Sequence, residues 1–432
     1  MSGQGILGAV AVVLGFGAAA MVLSPLATRR RLGVLHPAIV WLMLEAIFFG
    51  VGSLALALGE DRPGPALYLA ACVLAAAVGA WLAHRVGPFA AGPVPPPDPP
   101  EHPVAETGRR RWVPTVLAAA AVGVLLPTVL ETGLPLFSSD ATAARAALVG
   151  LPIQFVRVAI PGLAAVLLLE SLAGRPAFGR RTVTLGIIGA LVAFMLSLAS
   201  RYLVIELLAG LTLAWLLTGR AIALRTAAIA GLIGLVGFVS IGVFRAPDDF
   251  APGPGSIAAQ RTISRLFLVQ PRTLDALQAT IPAKEAYFLG LTWFRRIGPL
   301  VGRDDIPNLG YWIYPKVVDE SQDVAGYAAP GLIGEAWANF GPAGVALFGL
   351  LGIGMEGLAA WVAAHRTRVV DIAAGSLAIL FVARTHALGL LGMAVLLGLV
   401  LGWWLLAGAR LHRTQVRAGP EGKADRQSLA AR

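Results

Sequence analysis

Runs of about twenty apolar residues, separated by short connections that carry most of the arginines, recur along the whole chain. Such a run is as long as a helix must be to cross the roughly 30 Å of hydrocarbon in a bilayer. Eleven can be delimited: Ile6–Leu23, Ala38–Leu58, Pro65–Leu82, Val113–Leu130, Ile153–Leu169, Val183–Ala199, Leu203–Leu217, Ile222–Val243, Ala343–Ala363, Ile372–Ala383 and Leu388–Ala407. Lipid offers no partner for backbone N–H and C=O groups, so segments of this kind become helices. The predicted fold class is all-α, a polytopic integral membrane protein of about eleven transmembrane helices. Composition decides one further point: 57% of residues are hydrophobic and 13% charged, whereas soluble domains carry about 25% charge. No ordinary water-facing surface can be made from that. Cys72, the single cysteine, lies inside an apolar run, so an intrachain disulfide and a cysteine metal cage are both excluded.

The net charge of +10 is spread through the connections and forms no single basic face, which argues against nucleic acid as a partner. Arginine-rich connections fall on one side when eleven spans are threaded, and by the positive-inside rule that side is the cytoplasm. The first run has no positive start and is followed by TRRR, so it reads as an N-out anchor and not as a cleaved signal. The topology expected is N-out and C-in, with a large extracytoplasmic loop domain between spans 8 and 9. The organisation is then helices 1–3 in 1–84, a Pro-rich cytoplasmic linker in 85–112, and helices 4–8 in 113–244 with an outer Arg-bearing loop at 131–152. The loop domain occupies 245–342, helices 9–11 occupy 343–408, and a basic cytoplasmic tail covers 409–432.

That topology leaves a conflict with the rule that produced it. Arg145, Arg157, Arg201, Arg245, Arg261, Arg265, Arg272, Arg295, Arg296, Arg303 and Arg384 all map to the outer side, which should be poor in arginine. Arg157 and Glu206 lie about a turn and a half into spans that start at the outer surface. Because helical side chains lean toward the helix N-terminus, both can reach a shared outer cavity. Tyr202, four residues before Glu206, shares its helical face. An ionisable group at that depth costs about 2.5–3.5 kcal/mol on insertion scales unless it meets water or a partner. For Arg157 the alternatives are snorkelling to headgroups or an anion site. For Glu206 they are a structural hydrogen bond or a part in the same site.

Guanidinium groups suit phosphate oxygens, and at an outer membrane cavity the phosphate to expect is a lipid diphosphate. No phosphate-cradling GxxxxGK[ST] is present, and GLLGIGMEG falls within a span, where its glycines serve packing. In the insert, Ile263 to Leu277 carries apolar residues at helical spacing with Arg261, Arg265 and Arg272 interleaved, the pattern of a helix lying at the membrane interface. Tyr311, Trp312 and Tyr314 fit either an interfacial belt or stacking on sugar rings.

Three segments, GLPLFSSDATAARAALVG, SRYLVIELLAGLTLAW and above all GLIGEAWANFGPAGVALFGLLGIG after a long outer loop, resemble the Wzy-type repeat-unit polymerases of bacterial O-antigen and exopolysaccharide pathways. The resemblance covers roughly 133–392. It implies a GT-C type membrane glycosyltransferase of the bacterial inner membrane, acting at its outer face; with arginines able to carry the leaving-group charge, no metal and no cofactor are expected. Its substrate would be a polyprenyl-diphosphate-linked oligosaccharide, transferred to the hydroxyl of a lipid-linked acceptor, with membrane lipid, a chain-length regulator and a flippase as pathway partners. On this resemblance Arg145, Arg201 and Glu335 occupy the family's motif positions. Arg157, Arg245, Arg261, Arg265, Arg272, Arg384, His386, Glu206 and Tyr202 are expected to bind diphosphate or glycan.

One departure stands out: the RX10G spacing of some polymerases occurs only as Arg220 and Gly231, at a cytoplasmic turn. Leaving-group charge would be met by arginines. The acceptor's proton would go to Glu335 first, with Asp319, Glu320, Asp323 and His386 as other candidates. An O-antigen-type ligase would use the same donor with another acceptor. A polytopic transporter normally shows repeated halves, and no internal repeat is visible here.

Overall fold

The computed structural model describes residues 2–86, 112–138, 144, 147–148, 150–176, 179–198, 200–220, 267–294, 306–317, 328 and 330–408. Among these residues the chain is helical and has no strand. Seven helices are long and apolar enough to cross a membrane, and three shorter apolar helices accompany them.

The helices are α1 (Gly3–Arg29), α2 (Pro37–Glu45), α3 (Val51–Gly59), α4 (Gly64–Val86), α5 (Val113–Thr132), α6 (Leu151–Leu172), α7 (Arg181–Ser197) and α8 (Arg201–Leu217). They continue as α9 (Val269–Thr280), α10 (Leu309–Val317), α11 (Gly331–Phe340), α12 (Val345–His365), α13 (Val369–Val382) and α14 (Leu390–Gly408). A helix therefore lies over ten of the eleven predicted runs. The eighth run, 222–243, falls outside the described residues, as do the linker 87–111 and the tail 409–432. The second run departs from a simple helix: a π-helical turn, Ala46–Gly50, separates α2 from α3.

The bundle has lipid-like surroundings written on its surface. Leu14, Met21, Leu130, Leu350 and Leu406 are each more than 60% exposed, an arrangement that water would penalise by about 25 cal/mol for each Å² of apolar surface. The two largest apolar clusters among the described residues lie inside. One is built from α1, α2, α4 and α12 around Trp41, Leu69, Val73 and Phe348. The other gathers α6, α8, α13 and α14 around Leu169, Leu377, Phe381 and Trp403.

Helix α13 is the axis of the second group. All 14 of its residues are buried, as expected of a helix that is apolar on every face. Helices α4 and α12 approach at backbone distance: a Cβ on Gly79 would stand 2.0 Å from the carbonyl oxygen of Gly349, and one on Gly352 would stand 2.0 Å from that of Ala76. Gly349 and Gly352 belong to GLLGIGMEG, and small residues at such a seam let helices associate where no hydrophobic force acts between them.

Segments expected on the outer side share one end of the bundle. Ser2 donates to Asp61, Gln278 donates to the Gly64 carbonyl at 3.4 Å, and Arg272 reaches Glu60 at 2.8 Å. These bonds set α9 upon the connection between α3 and α4. Leu277, Ile281, Leu309, Ile313, Ala328 and Ala338 form a small apolar cluster of their own there, joining α9, α10 and α11. At the opposite end Glu356 of α12 is fully buried among Arg30 Nη2 at 2.7 Å, His36 Nε2 at 3.0 Å and His84 Nδ1 at 2.9 Å. One carboxylate thus ties α1, α2, α4 and α12 together.

Candidate functional site

The site is built on the turn that follows α13. Arg384, Thr385, His386 and the first residue of α14, Leu390, reach three glutamates supplied by three other helices. The Glu206 carboxylate of α8 accepts from Arg384 Nη1. Glu45 of α2 accepts from the Thr385 hydroxyl at 2.6 Å, and Glu335 of α11 accepts from the backbone N–H of Leu390 at 3.0 Å. Three intramembrane or near-membrane carboxylates therefore meet one short stretch of chain.

The backbone of this turn is held by α11. Gly331 opens that helix at φ +57°, and a Cβ there would come within 2.6 Å of the Thr385 carbonyl oxygen and 2.5 Å of that of His386. Only glycine meets both demands, since the left-handed conformation costs other residues roughly 1–2 kcal/mol before any clash. The Leu332 N–H then donates to the Thr385 carbonyl at 2.7 Å.

Around Glu206 the arrangement is that of a carboxylate shared by two guanidinium groups. Arg157 of α6 donates through Nε at 2.9 Å and through Nη2, and its Nη1 donates to Gln154 at 2.7 Å. Glu206 is fully buried, while the side chains of Arg157 and Arg384 are 12% and 6% exposed. A guanidinium has five N–H donors, and Arg157 uses three of them here. Its two other N–H groups make no hydrogen bond among the described residues. The three groups carry one net positive charge when all are ionised (+2 − 1).

Around Glu45 the geometry is different. Trp41 donates from Nε1 to the Thr385 oxygen at 2.6 Å, so the hydroxyl relays from indole to carboxylate. His386 stacks on Phe48 of the π-helical turn, ring centroids 4.7 Å apart, and its Nδ1 lies 3.7 Å from Glu45 Oε1. Among the described residues, both Glu45 Oε2 and His386 Nδ1 are buried without a hydrogen bond. An unmade bond at such a place costs about 1–3 kcal/mol, and π-helical turns occur often at functional sites.

Glu335 is fixed through one oxygen, Oε2, which accepts from Trp293 Nε1 at 3.1 Å and from Leu390 N–H. Its Oε1 accepts no hydrogen bond among the described residues and lies against Gly389, where a Cβ would stand 2.1 Å away. Asn339, one turn later, braces the same corner by donating to Thr292 at 2.7 Å and to the Glu335 carbonyl at 2.8 Å.

Of the residues expected from sequence, Arg157, Glu206, Arg384, His386 and Glu335 are thus gathered along one turn. Arg272 is not: it pairs with Glu60 on the flank of α9, with both side chains about 40% exposed. The backbone of Arg201 and Tyr202 opens α8, the helix of Glu206. Arg145, Arg245, Arg261 and Arg265 lie outside the described residues, as do Asp319, Glu320 and Asp323. Tyr311 is exposed, whereas Trp312 packs edge-on to Phe288 beneath Lys316 Nζ, 3.5 Å from the ring centroid.

Sequence reasoning passed over Glu45 and Glu356. The signal was present in both, a lone carboxylate inside an apolar run, which by default marks function or a specific partner. Comparison with family models, with curated proteins and with solved structures finds no match for this chain.

Proposed function

We propose that the chain is a membrane glycosyltransferase that extends a glycan at the outer face of the bacterial inner membrane, in the manner of a Wzy-type repeat-unit polymerase. The observation that supports it is the meeting of Arg157 and Arg384, from helices far apart in the chain, on the single carboxylate of Glu206. Glu206 holds both guanidinium planes in place, and the Arg157 donors it leaves unused are the kind that bind phosphate oxygens in pairs. A polyprenyl-diphosphate donor presents such oxygens at the membrane surface. As the bond from sugar to diphosphate breaks, negative charge collects on the leaving group, and preorganised guanidinium groups in a site of low dielectric stabilise it.

The attacking hydroxyl of the lipid-linked acceptor must also lose a proton. Glu335 and His386 are the two groups beside this turn that suit that task. The N-out, C-in topology belongs to the same proposal, because it puts the 384–390 turn outside the cytoplasm, where the lipid-linked glycan is presented.

The test is deletion of the chain in the bacterium that makes it, followed by analysis of lipid-linked sugars. Accumulation of single repeat units is the expected outcome. Long polymer still attached to lipid means a ligase, and an unchanged glycan profile removes the glycosyltransferase reading altogether.

A further inference from the structure

We infer that His386 takes the acceptor's proton and that Glu45, buried behind it, is the residue that makes it able to do so. The inference rests on the proposed transfer reaction and assigns its base. Two atoms of neighbouring side chains have unmet bonding capacity: Glu45 Oε2 and His386 Nδ1 are both buried and unbonded among the described residues, and Nδ1 stands 3.7 Å from the other carboxylate oxygen, Oε1. A buried carboxylate beside one imidazole nitrogen sets the tautomer. It keeps the proton on Nδ1 and leaves Nε2 with a lone pair.

Among the described residues that second nitrogen makes no hydrogen bond and is not one of the sealed polar atoms. It is the open end of the pair. Phe48 stacks on the face of the ring, and Gly331 lies close to the His386 carbonyl, which fixes where the ring starts from the backbone. Thr385 fixes the carboxylate by donating to the same oxygen, Oε1, at 2.6 Å.

The step balances as follows. The acceptor hydroxyl gives its proton to His386 Nε2, its oxygen forms the bond to the anomeric carbon, and the bond from that carbon to the diphosphate oxygen breaks with its electron pair on the diphosphate. The imidazolium so formed is stabilised by Glu45, to which Nδ1–H donates as the 3.7 Å gap closes. It then returns its proton to water or to the departing diphosphate. Catalytic contacts of this kind are often long before substrate is bound. Glu335, whose Oε2 already holds Trp293 and Leu390, positions the turn in this scheme.

Variants are expressed in the producing bacterium lacking its own copy, and chain growth is read from lipid-linked and released glycan. His386→Gln is expected to lower chain growth by about 10²–10⁴-fold, the usual contribution of a general base. Glu45→Gln keeps the length of the side chain and still accepts from Thr385, so a purely structural Glu45 would tolerate Gln better than the shorter Asp. The dyad requires the reverse order, Glu45→Asp active and Glu45→Gln at least about tenfold slower on the scale of general-base effects. Gln outperforming Asp overturns it.

A second measurement does not depend on turnover. Purified full-length protein in detergent is treated with diethyl pyrocarbonate and mapped by mass spectrometry, and His386 is expected to be carbethoxylated at its open nitrogen. An unlabelled His386 overturns the inference. Loss of polymer on deletion combined with normal growth in His386→Gln sinks the dyad alone, whereas normal polymer after deletion sinks the transfer reaction and the dyad with it.

Discussion

The Thr385 hydroxyl donates to Glu45 across 2.6 Å, joining two residues 340 positions apart in the chain. The same oxygen accepts from Trp41, so two residues of α2 depend on one side chain of a distant turn. Thr385→Val keeps the shape and removes the hydroxyl, leaving an indole N–H and a buried carboxylate oxygen unbonded. A loss of about 1–3 kcal/mol for each stranded group is expected, measured as a lower thermal midpoint of the purified protein in detergent.

Glu206 should behave as the centre of an ion cluster and not as one half of a pair. Glu206→Ala removes the acceptor shared by Arg157 and Arg384, and breaking a buried ion pair from one side costs about 3–5 kcal/mol. The double variant Glu206→Ala with Arg384→Ala should lose less than the sum of its single changes. A double-mutant cycle on thermal stability measures the coupling.

The arginines assigned to the diphosphate should matter for product more than for folding. Arg145→Ala, Arg201→Ala and Arg384→Ala are each expected to abolish polymer while the protein still accumulates in membranes. Quantitative blotting set beside glycan gels checks both halves of that statement. Normal chain length in all three variants would remove the anion site.

Two glycines of one helix should respond oppositely to the same change. Gly352→Ala puts a methyl group 2.0 Å from the Ala76 carbonyl oxygen, while a Cβ on Gly354 meets nothing within 4 Å. Gly352→Ala should lower the yield of monodisperse protein on size-exclusion chromatography. Gly354→Ala should be neutral or add up to about 1 kcal/mol from helix propensity.

If guanidinium groups alone meet the leaving-group charge, chelation should not matter. EDTA added to membranes making polymer is expected to leave the rate within about twofold, since the proposed stabilisation comes from fixed N–H donors. Strong inhibition would assign a divalent ion to the site.

The helices were legible because the length of an apolar run is a direct physical requirement of crossing lipid, and helices lie over the described runs. The convergence of Arg157 and Glu206 was legible too, because both stand a turn and a half into helices entering from one side. Glu45 was not. Its partners, Thr385 and His386, come from a turn near the other end of the chain, and no local periodicity announces the π-helical turn that brings Phe48 onto the imidazole. Arg272 shows the opposite failure: it belonged to a pattern of interleaved arginines, but the helix face that carries it is set on the α3–α4 connection, where Glu60 lies within reach.

The backbone contact between α4 and α12 also limits how the lipid substrate of the proposed reaction could arrive. Where Gly79 meets Gly349 and Ala76 meets Gly352, carbonyl oxygens occupy the space a single methyl would need. No isoprenoid tail can slip through that crevice. In the proposed reaction the lipid-linked donor would have to dock along some other flank of the bundle, which makes this pair of helices a closed wall and directs the search for the entry gate elsewhere.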